Sequence, residues 1–135
     1  MELEIDGKRY QFKFGIGFLH EINKEVQQKV DGFDVKKQMG LKFRIAGIMD
    51  RDIDDLIRVL DVANMGQEPR ITKKILEEYI EDESTDLDVL FKEVLDFLSK
   101  ANSTKFTYQA IQKEVEKAEQ REKAVENLLK IQNKK

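Results

Sequence analysis

The stretch "ELEIDGKRYQFKF", Glu2 to Phe14, predicts a β-hairpin. Asp6-Gly7 favours a tight turn with positive φ at both central residues, and pairing across it places Leu3 opposite Tyr10 and Glu4 opposite Arg9. One face of the ribbon is then apolar, and its members are Leu3, Ile5, Tyr10, Phe12 and Phe14. Because an isolated hairpin is only marginally stable, another part of the chain must cover this face.

The residues that follow the hairpin predict a helix that provides this cover. Apolar residues recur at three- and four-residue spacing, namely Phe18, Leu19, Ile22, Val26 and Val30, and Asp31-Gly32 ends the run. Two glycines, Gly15 and Gly17, stand between strand and helix. We expect them to turn the chain sharply and to let the helix pack closely over the strands.

Four further segments have helical periodicity. Residues 35–49 are apolar at Val35, Met39, Phe43 and Ala46, with Ile48 as a further candidate, although Gly40 and Gly47 interrupt them. Asp52 has the features of an N-cap for a helix that closes at Gly66, and a short helix follows over residues 71–80. The strongest pattern comprises Leu87, Leu90, Phe91, Val94, Leu95 and Leu98, with Thr85 as its predicted cap.

The last segment is poorer in apolar residues. Its four-three spacing runs through Ile111, Val115, Ala118, Val125 and Leu129, but Glu122 lies in this seam and 12 of the 27 residues from Gln109 onward are charged. We therefore predict a protruding helix whose seam is a candidate partner-binding surface. The predicted fold is α+β and mostly α, with a hairpin on a helical bundle over residues 1–105 and a charged extension over 106–135.

Composition excludes several classes of protein. The chain has 135 residues, 40% hydrophobic and 38% charged, with one proline and no cysteine. A disulfide framework, a thiolate zinc site and a cysteine nucleophile are thereby excluded. Neither a signal sequence nor a run of 18 apolar residues is visible, so we expect a soluble cytoplasmic protein with no membrane partner.

Charge is distributed unevenly along the chain. Residues 50–96 hold 15 acidic and 6 basic residues, a net charge of −9, whereas residues 8–45 hold 9 basic and 4 acidic residues, a net charge of +5. Such polarity favours head-to-tail self-association, but solvated helix faces produce the same counts, and both interpretations stay open. The basic residues are scattered without interleaved aromatic residues, which argues against nucleic acid as a partner.

Three motifs could suggest ligand chemistry, and each fails in detail. Gly15-Ile16-Gly17 lacks the third glycine and the Lys-Ser/Thr of phosphate loops. Asp50-x-Asp52-x-Asp54 resembles the start of a calcium loop, but Asp55 stands where that loop needs glycine, so a helix start is the better interpretation. His20 is the one histidine, and its position near the start of a helix is typical of a surface residue. We therefore predict no catalytic residue, no cofactor and no metal.

The opening block "MELEIDGKRYQFKFGIGFLHEINK" resembles the N-terminus of the tail assembly chaperones of long-tailed phages. The residues that carry the resemblance are Gly7, Tyr10, Phe12, Phe14, Gly15, Gly17 and Phe18. Later segments, such as "DRDIDDLIRVLDVAN" and "LFKEVLDFLSKAN", are also similar, so the resemblance extends over about residues 1–105.

The resemblance implies a non-enzymatic role in the cytoplasm of a bacterial host. Such chaperones keep the apolar tape measure protein soluble, help tail tube subunits gather around it, and leave before the tail is complete. In many relatives a programmed frameshift yields a longer, tube-binding form, which the chain end Asn133-Lys134-Lys135 would fit. The alternative from another class is a small helical head–tail adaptor or regulatory protein-binding module.

Overall fold

A computed structural model describes residues 1–133, and it confirms a mostly helical α+β fold. The elements in chain order are β1 Glu2–Ile5, β2 Lys8–Gln11, α1 Ile16–Asn23, β3 Gln27–Lys29, β4 Lys36–Gln38, α2 Gly40–Met49, α3 Ile53–Asn64, α4 Lys73–Glu81, α5 Leu87–Lys100 and α6 Lys105–Asn133. The strands form two separate antiparallel pairs, β1 with β2 and β3 with β4.

The first hairpin has the predicted turn and the predicted register. Asp6 and Gly7 have φ of 52° and 78°, and Leu3 lies opposite Tyr10. The amide of Phe12 donates to the carbonyl of Met1 over 2.8 Å, which extends the pairing beyond the strands. Alternation along both strands therefore collects the apolar side chains on one face.

That apolar face forms one core with the helices, as predicted. Phe14 packs edge-on against Phe18 of α1, with ring centroids 5.1 Å apart, and stacks on Phe97 of α5 at 6.0 Å. The buried core also contains the other predicted members, Leu3, Ile5, Tyr10, Phe12, Ile22, Leu90, Phe91 and Val94. The first hairpin thus covers one side of the core formed by the helices.

The prediction that α1 continues to Val30 was wrong. The helix ends at Asn23, and residues 27–38 form the second hairpin. Gly32 has φ of 79°, and the amide of Val30 donates to the carbonyl of Val35 over 3.0 Å, so Asp31-Gly32 belongs to a loop between strands. The residues of β3 and β4 are all polar and exposed. A helix that continued through β3 would therefore have almost no apolar surface to bury.

The predicted apolar face of the next helix was wrong at Val35 and Phe43, which are exposed, whereas Ile48 is buried and Ala46 packs against the core. The helix α2 begins at Gly40, and it buries Leu41, Ile45 and Ile48, whereas Phe43 is exposed. Its two glycines lie where other elements come close. A Cβ at Gly40 would overlap the carbonyl of Ile22, and a Cβ at Gly47 would overlap the carboxylate of Asp55. Close helix packing is therefore the reason for both glycines.

We expect Gly40→Ala to lower the free energy of unfolding by about 1–3 kcal/mol, because the new methyl group forces α1 and α2 apart. Gly17→Ala is the matched control, since a Cβ there meets no atom within 4 Å. Urea denaturation followed by circular dichroism measures both. Equal unfolding midpoints for the two variants would contradict the assigned packing.

Side-chain caps fix the starts of the next three helices. Asp52 caps α3 by accepting from the amide of Asp55, as predicted, and Thr72 caps α4 through the amide of Ile75. The predicted Thr85 cap was wrong, because Asp86 caps α5. Thr85 instead donates its hydroxyl to the carbonyl of Tyr79 over 2.6 Å, which closes the turn between α4 and α5.

A chain of ion pairs joins α2, α3 and the segment before β3. The pairs are Arg44 with Asp55 at 2.7 Å and Glu25 at 3.5 Å, Arg58 with Glu25 at 2.9 Å and Asp61 at 3.3 Å, and Arg70 with Asp61 at 2.9 Å. The carboxylates are mostly buried, so these pairs are screened less than ordinary surface pairs. They hold Glu25, and with it the base of the second hairpin, against the helical core.

The helix α6 packs on the core only through its first turns. Ile111 is its one buried residue, and residues 112–133 are all exposed. At a rise of 1.5 Å per residue this exposed part is about 33 Å long. None of the helices between residues 1 and 133 combines the length and the hydrophobicity that a membrane span requires.

Candidate functional site

A concave surface lies where the first hairpin meets α1. We call it the junction groove; it has a volume of about 860 Å³, and its lining consists of Lys13, Gly15, Ile16, Gly17, Phe18, His20, Glu21, Val62, Met65, Gly66 and Gln67. The buried Phe18 and Val62 form an apolar floor. Ile16 and Met65 stand on the rim with 61% and 38% of their surface exposed.

Hydrogen bonds fix the strand that borders this groove on both sides. The amide of Lys13 donates to the carbonyl of Ala63 over 2.8 Å, which ties the end of the hairpin to α3. The hydroxyl of Ser103 donates to the carbonyl of Phe14 over 2.7 Å, which ties the same strand to the turn between α5 and α6. The groove is therefore held in shape before any partner arrives.

The opposite side of the groove depends on Asn64, which is fully buried. Its amide nitrogen donates to the carbonyl of Gln11 over 2.8 Å and to that of Pro69 over 3.3 Å. Its amide oxygen accepts from the amide of Ile71 over 2.6 Å and from the guanidinium of Arg70 over 3.2 Å. One side chain thus joins the hairpin, the end of α3 and the approach to α4.

Neither of the two glycines of the groove is needed to let the helix pack closely over the strands. Gly15 has φ of −102°, which any residue adopts, and a Cβ there would meet only the side chain of Lys13, at 3.7 Å. A Cβ at Gly17 would meet no atom within 4 Å. Their predicted part in close packing was wrong, and their part in turning the chain into α1 stays a prediction. Both glycines line the groove, and a Cβ at Gly17 would enter open space.

The lining of the groove combines apolar and polar side chains. Its floor and rim are apolar, and Lys13, His20 and Glu21 supply charge or polarity at the edge. The lining, which falls within the described part of the chain, includes no hydroxyl or thiol nucleophile. Apolar surface with a few polar groups is typical of ligand-binding and active sites in general.

The other members of the predicted junction site belong to the hairpin. Gly7 forms its turn, and Tyr10, Phe12 and Phe14 lie in the core. The structure therefore brings only Gly15, Gly17 and Phe18 into the groove. Sequence reasoning missed Met65 and Val62, because the contact between α1 and the end of α3 brings together residues far apart in sequence.

The predicted seam on α6 lies largely outside the core. Ile111 is buried, whereas Val115, Ala118, Val125 and Leu129 are exposed. Leu128 and Ile131, which the four-three spacing omitted, are exposed on the same helix. Lys134 and Lys135, which belong to the predicted frameshift end, lie outside the described residues.

The acidic cluster at residues 50–54 forms part of the helix start. Asp52 is the cap of α3, and Arg51 pairs with Asp88 over 2.7 Å and lies over the ring of Phe91 at 5.3 Å. Among residues 1–133, no three histidine, aspartate or glutamate side chains converge as metal ligands would.

Comparison with known families assigns the chain. A search of curated proteins and a search of solved structures each returned no match. A sequence model described as phage tail assembly chaperone protein, TAC, matches residues 2–113. The match spans both hairpins, the junction groove and the first turns of α6, and it agrees with the resemblance of the opening block. The chain belongs to the phage tail assembly chaperone family.

Proposed function

We propose that this protein keeps the tape measure protein soluble during tail assembly, and that the junction groove binds a helical segment of it. The observation that supports the proposal is the open wall formed by Gly15 and Gly17 beside the exposed Ile16 and Met65. Exposed apolar side chains around an apolar floor are a feature of surfaces that bind other proteins.

We propose that the groove, with its volume of about 860 Å³, takes the apolar side chains of one face of a helix. A helix with its side chains is about 10–12 Å across, and apolar anchors at positions i, i+3 and i+4 would enter the groove between Ile16 and Met65. The missing side chains at Gly15 and Gly17 would let the partner approach the start of α1. Because the groove is short, each contact is weak enough to be reversed when tube subunits displace the chaperone.

The α6 helix is proposed to serve as a separate extension, with the division near residues 105 and 106. Its exposed seam, Val115, Ala118, Val125 and Leu129, would contact a second partner about 33 Å or less from the core. We propose tail tube recruitment as its role, through a longer frameshifted form in the host cytoplasm. The gene sequence tests this, because the proposal requires a slippery heptamer and an overlapping downstream frame.

Co-expression tests the groove directly. The tape measure protein should be recovered in the soluble fraction with the wild-type chain, and Ile16→Asp should weaken the complex roughly tenfold or more, as expected for a residue at the centre of an interface. Val89→Asp on α5 is the matched control, because Val89 is also an exposed apolar residue and lies outside the groove. Pull-down and isothermal titration with a tape measure segment measure the affinities.

The same experiment separates the proposal from its competitors. If the tape measure protein is as insoluble with the wild-type chain as without it, the proposed function is wrong. If solubility is rescued equally by wild-type and Ile16→Asp chains, the function stands but the groove is not the binding surface. Gly17→Leu, which fills the groove without adding charge, should reproduce the defect of Ile16→Asp.

A further inference from the structure

The second hairpin is exposed and contributes no residue to the buried core. We call residues 27–38 the arm; every one of them is exposed, including Phe33 at 67% and Val35 at 61%. The amide of Met39 donates to the carbonyl of Val26 over 2.7 Å and closes the base of the arm. Two strands without a covered face are marginally stable, so a surface that covers the arm would stabilise it.

The two faces of the arm differ in chemistry. Lys29 and Lys36 are directly opposite each other, so their ammonium groups extend from one face. Val30 and Val35, joined by a backbone hydrogen bond, lie on the other face. Like charges directly opposite each other repel, and no carboxylate within residues 1–133 forms an ion pair with either lysine.

These lysines also restrict which partner the arm can take. Lysine on an edge strand opposes pairing with another basic strand, so two arms should not join edge to edge. A partner that offers carboxylates would remove the repulsion between Lys29 and Lys36. The arm is therefore suited to an acidic surface with some apolar area for Phe33, which lies in the loop between the two strands.

The chain itself carries such a surface on another side. Residues 77–88 hold seven acidic residues and no basic one. Beside them is a cleft of about 320 Å³, which we call the acidic cleft; its carboxylates are Glu4, Asp6, Glu78 and Asp82, and Ile5 also lines it. The hydroxyl and the amide of Ser84 donate to Asp82 and lower the pKa of its carboxyl, which favours the ionised form of this group.

We propose that the arm of one copy docks in the acidic cleft of a second copy, with Lys29 and Lys36 against its carboxylates and Phe33 beside them. The two surfaces are different, so the contact is heterologous and leaves one free arm and one free cleft at the ends of each assembly. Such a contact can be repeated along a row of copies. The proposal does not depend on tape measure binding, because it concerns the purified chain alone.

Sedimentation velocity of the purified full chain tests this contact. Association should increase with protein concentration, and raising NaCl from 0.1 M to 1 M should weaken it about tenfold, since the screening length falls from about 10 Å to about 3 Å. The arm variant Lys29→Gln/Lys36→Gln and the cleft variant Glu4→Gln/Glu78→Gln should each be monomeric. Lys113→Gln/Lys117→Gln, which neutralises two exposed lysines on α6, should associate like the wild type.

Mixing the two defective variants gives the sharpest result. The cleft variant keeps an intact arm and the arm variant keeps an intact cleft, so a one-to-one mixture should form a dimer and nothing larger. Circular dichroism of each variant confirms that it is folded. A wild-type chain that stays monomeric at high concentration, an arm variant that still associates, or a mixture that stays monomeric would each overturn the proposal.

Discussion

Phe12→Ala is expected to lower the free energy of unfolding by about 3–5 kcal/mol, because it removes a large buried ring and leaves a cavity. Phe12 is 3% exposed and lies in the core beneath the first hairpin. Its amide holds the strand to Met1, so the backbone there has little freedom to collapse into the space. Guanidinium denaturation of the purified variant measures the loss.

Phe106→Ala is the matched control for Phe12. Phe106 is 71% exposed, so losing its ring should change the stability by no more than about 0.5 kcal/mol. A melting temperature for Phe12→Ala within one degree of that of Phe106→Ala would show that the hairpin does not cover the core. The placement of the apolar face would then be wrong.

Asn64→Asp is expected to cost about 3 kcal/mol or more, although the two side chains have nearly the same shape. The carboxylate cannot donate, so the carbonyls of Gln11 and Pro69 lose their partner and face a negative oxygen instead. Arg70 offsets part of this charge, because its guanidinium lies 3.2 Å from the side-chain oxygen of Asn64. Chemical denaturation at neutral pH measures the change.

The design of the Asn64 experiment separates the donor from the acceptor. Asn64→Ala removes both functions without adding a charge, so it measures the loss of the hydrogen bonds alone and should also be destabilising. Asn127→Asp on the exposed part of α6 makes the same chemical change in solvent and should leave the unfolding midpoint nearly unchanged. A stable Asn64→Asp variant would mean that this side chain does not organise the turn between α3 and α4.

The first hairpin could be predicted in full from local signals. Asp6-Gly7 sets the turn, and alternation on both sides sets the register, so no distant residue is needed. The helices α3, α4 and α5 could be found for a similar reason, since each has a wide apolar stripe and a start signal. The exact cap of α5 was missed by one residue because Thr85 and Asp86 are both good caps.

The second hairpin shows where local signals are ambiguous. Asp31-Gly32 carries the same turn signal as Asp6-Gly7, but Val26 and Val30 continue the spacing of α1, and helical spacing was preferred. The residues from Gln27 to Lys29 bury nothing, so periodicity had no real apolar face to detect there. The Asp-Gly turn signal, given more weight than two valines at helical spacing, indicates the strands.

The junction groove could be predicted only in part. Gly15, Gly17 and Phe18 were singled out, yet the groove exists because Met65 and Val62 come against them from α3. The role of Asn64 is similarly hidden, since its partners Gln11 and Ile71 become neighbours only in the folded chain. The resemblance to a family drew attention to the segment that contains Gly15, Gly17 and Phe18, and tertiary packing determined which of its residues face outward.

The hydrogen bonds that border the groove also affect the order in which the protein folds. Ser103 and Phe14 are 89 residues apart in sequence, and Asn64 and Gln11 are 53 apart. Contacts with such long separations form late, because the chain must close large loops before they contribute stability. During synthesis the first hairpin is therefore only marginally stable until the end of α5 has left the ribosome. A nascent chain cannot form the Ser103 hydrogen bond to Phe14 before that moment, so the strand beside the proposed groove gains this support only after residue 103 has been synthesised.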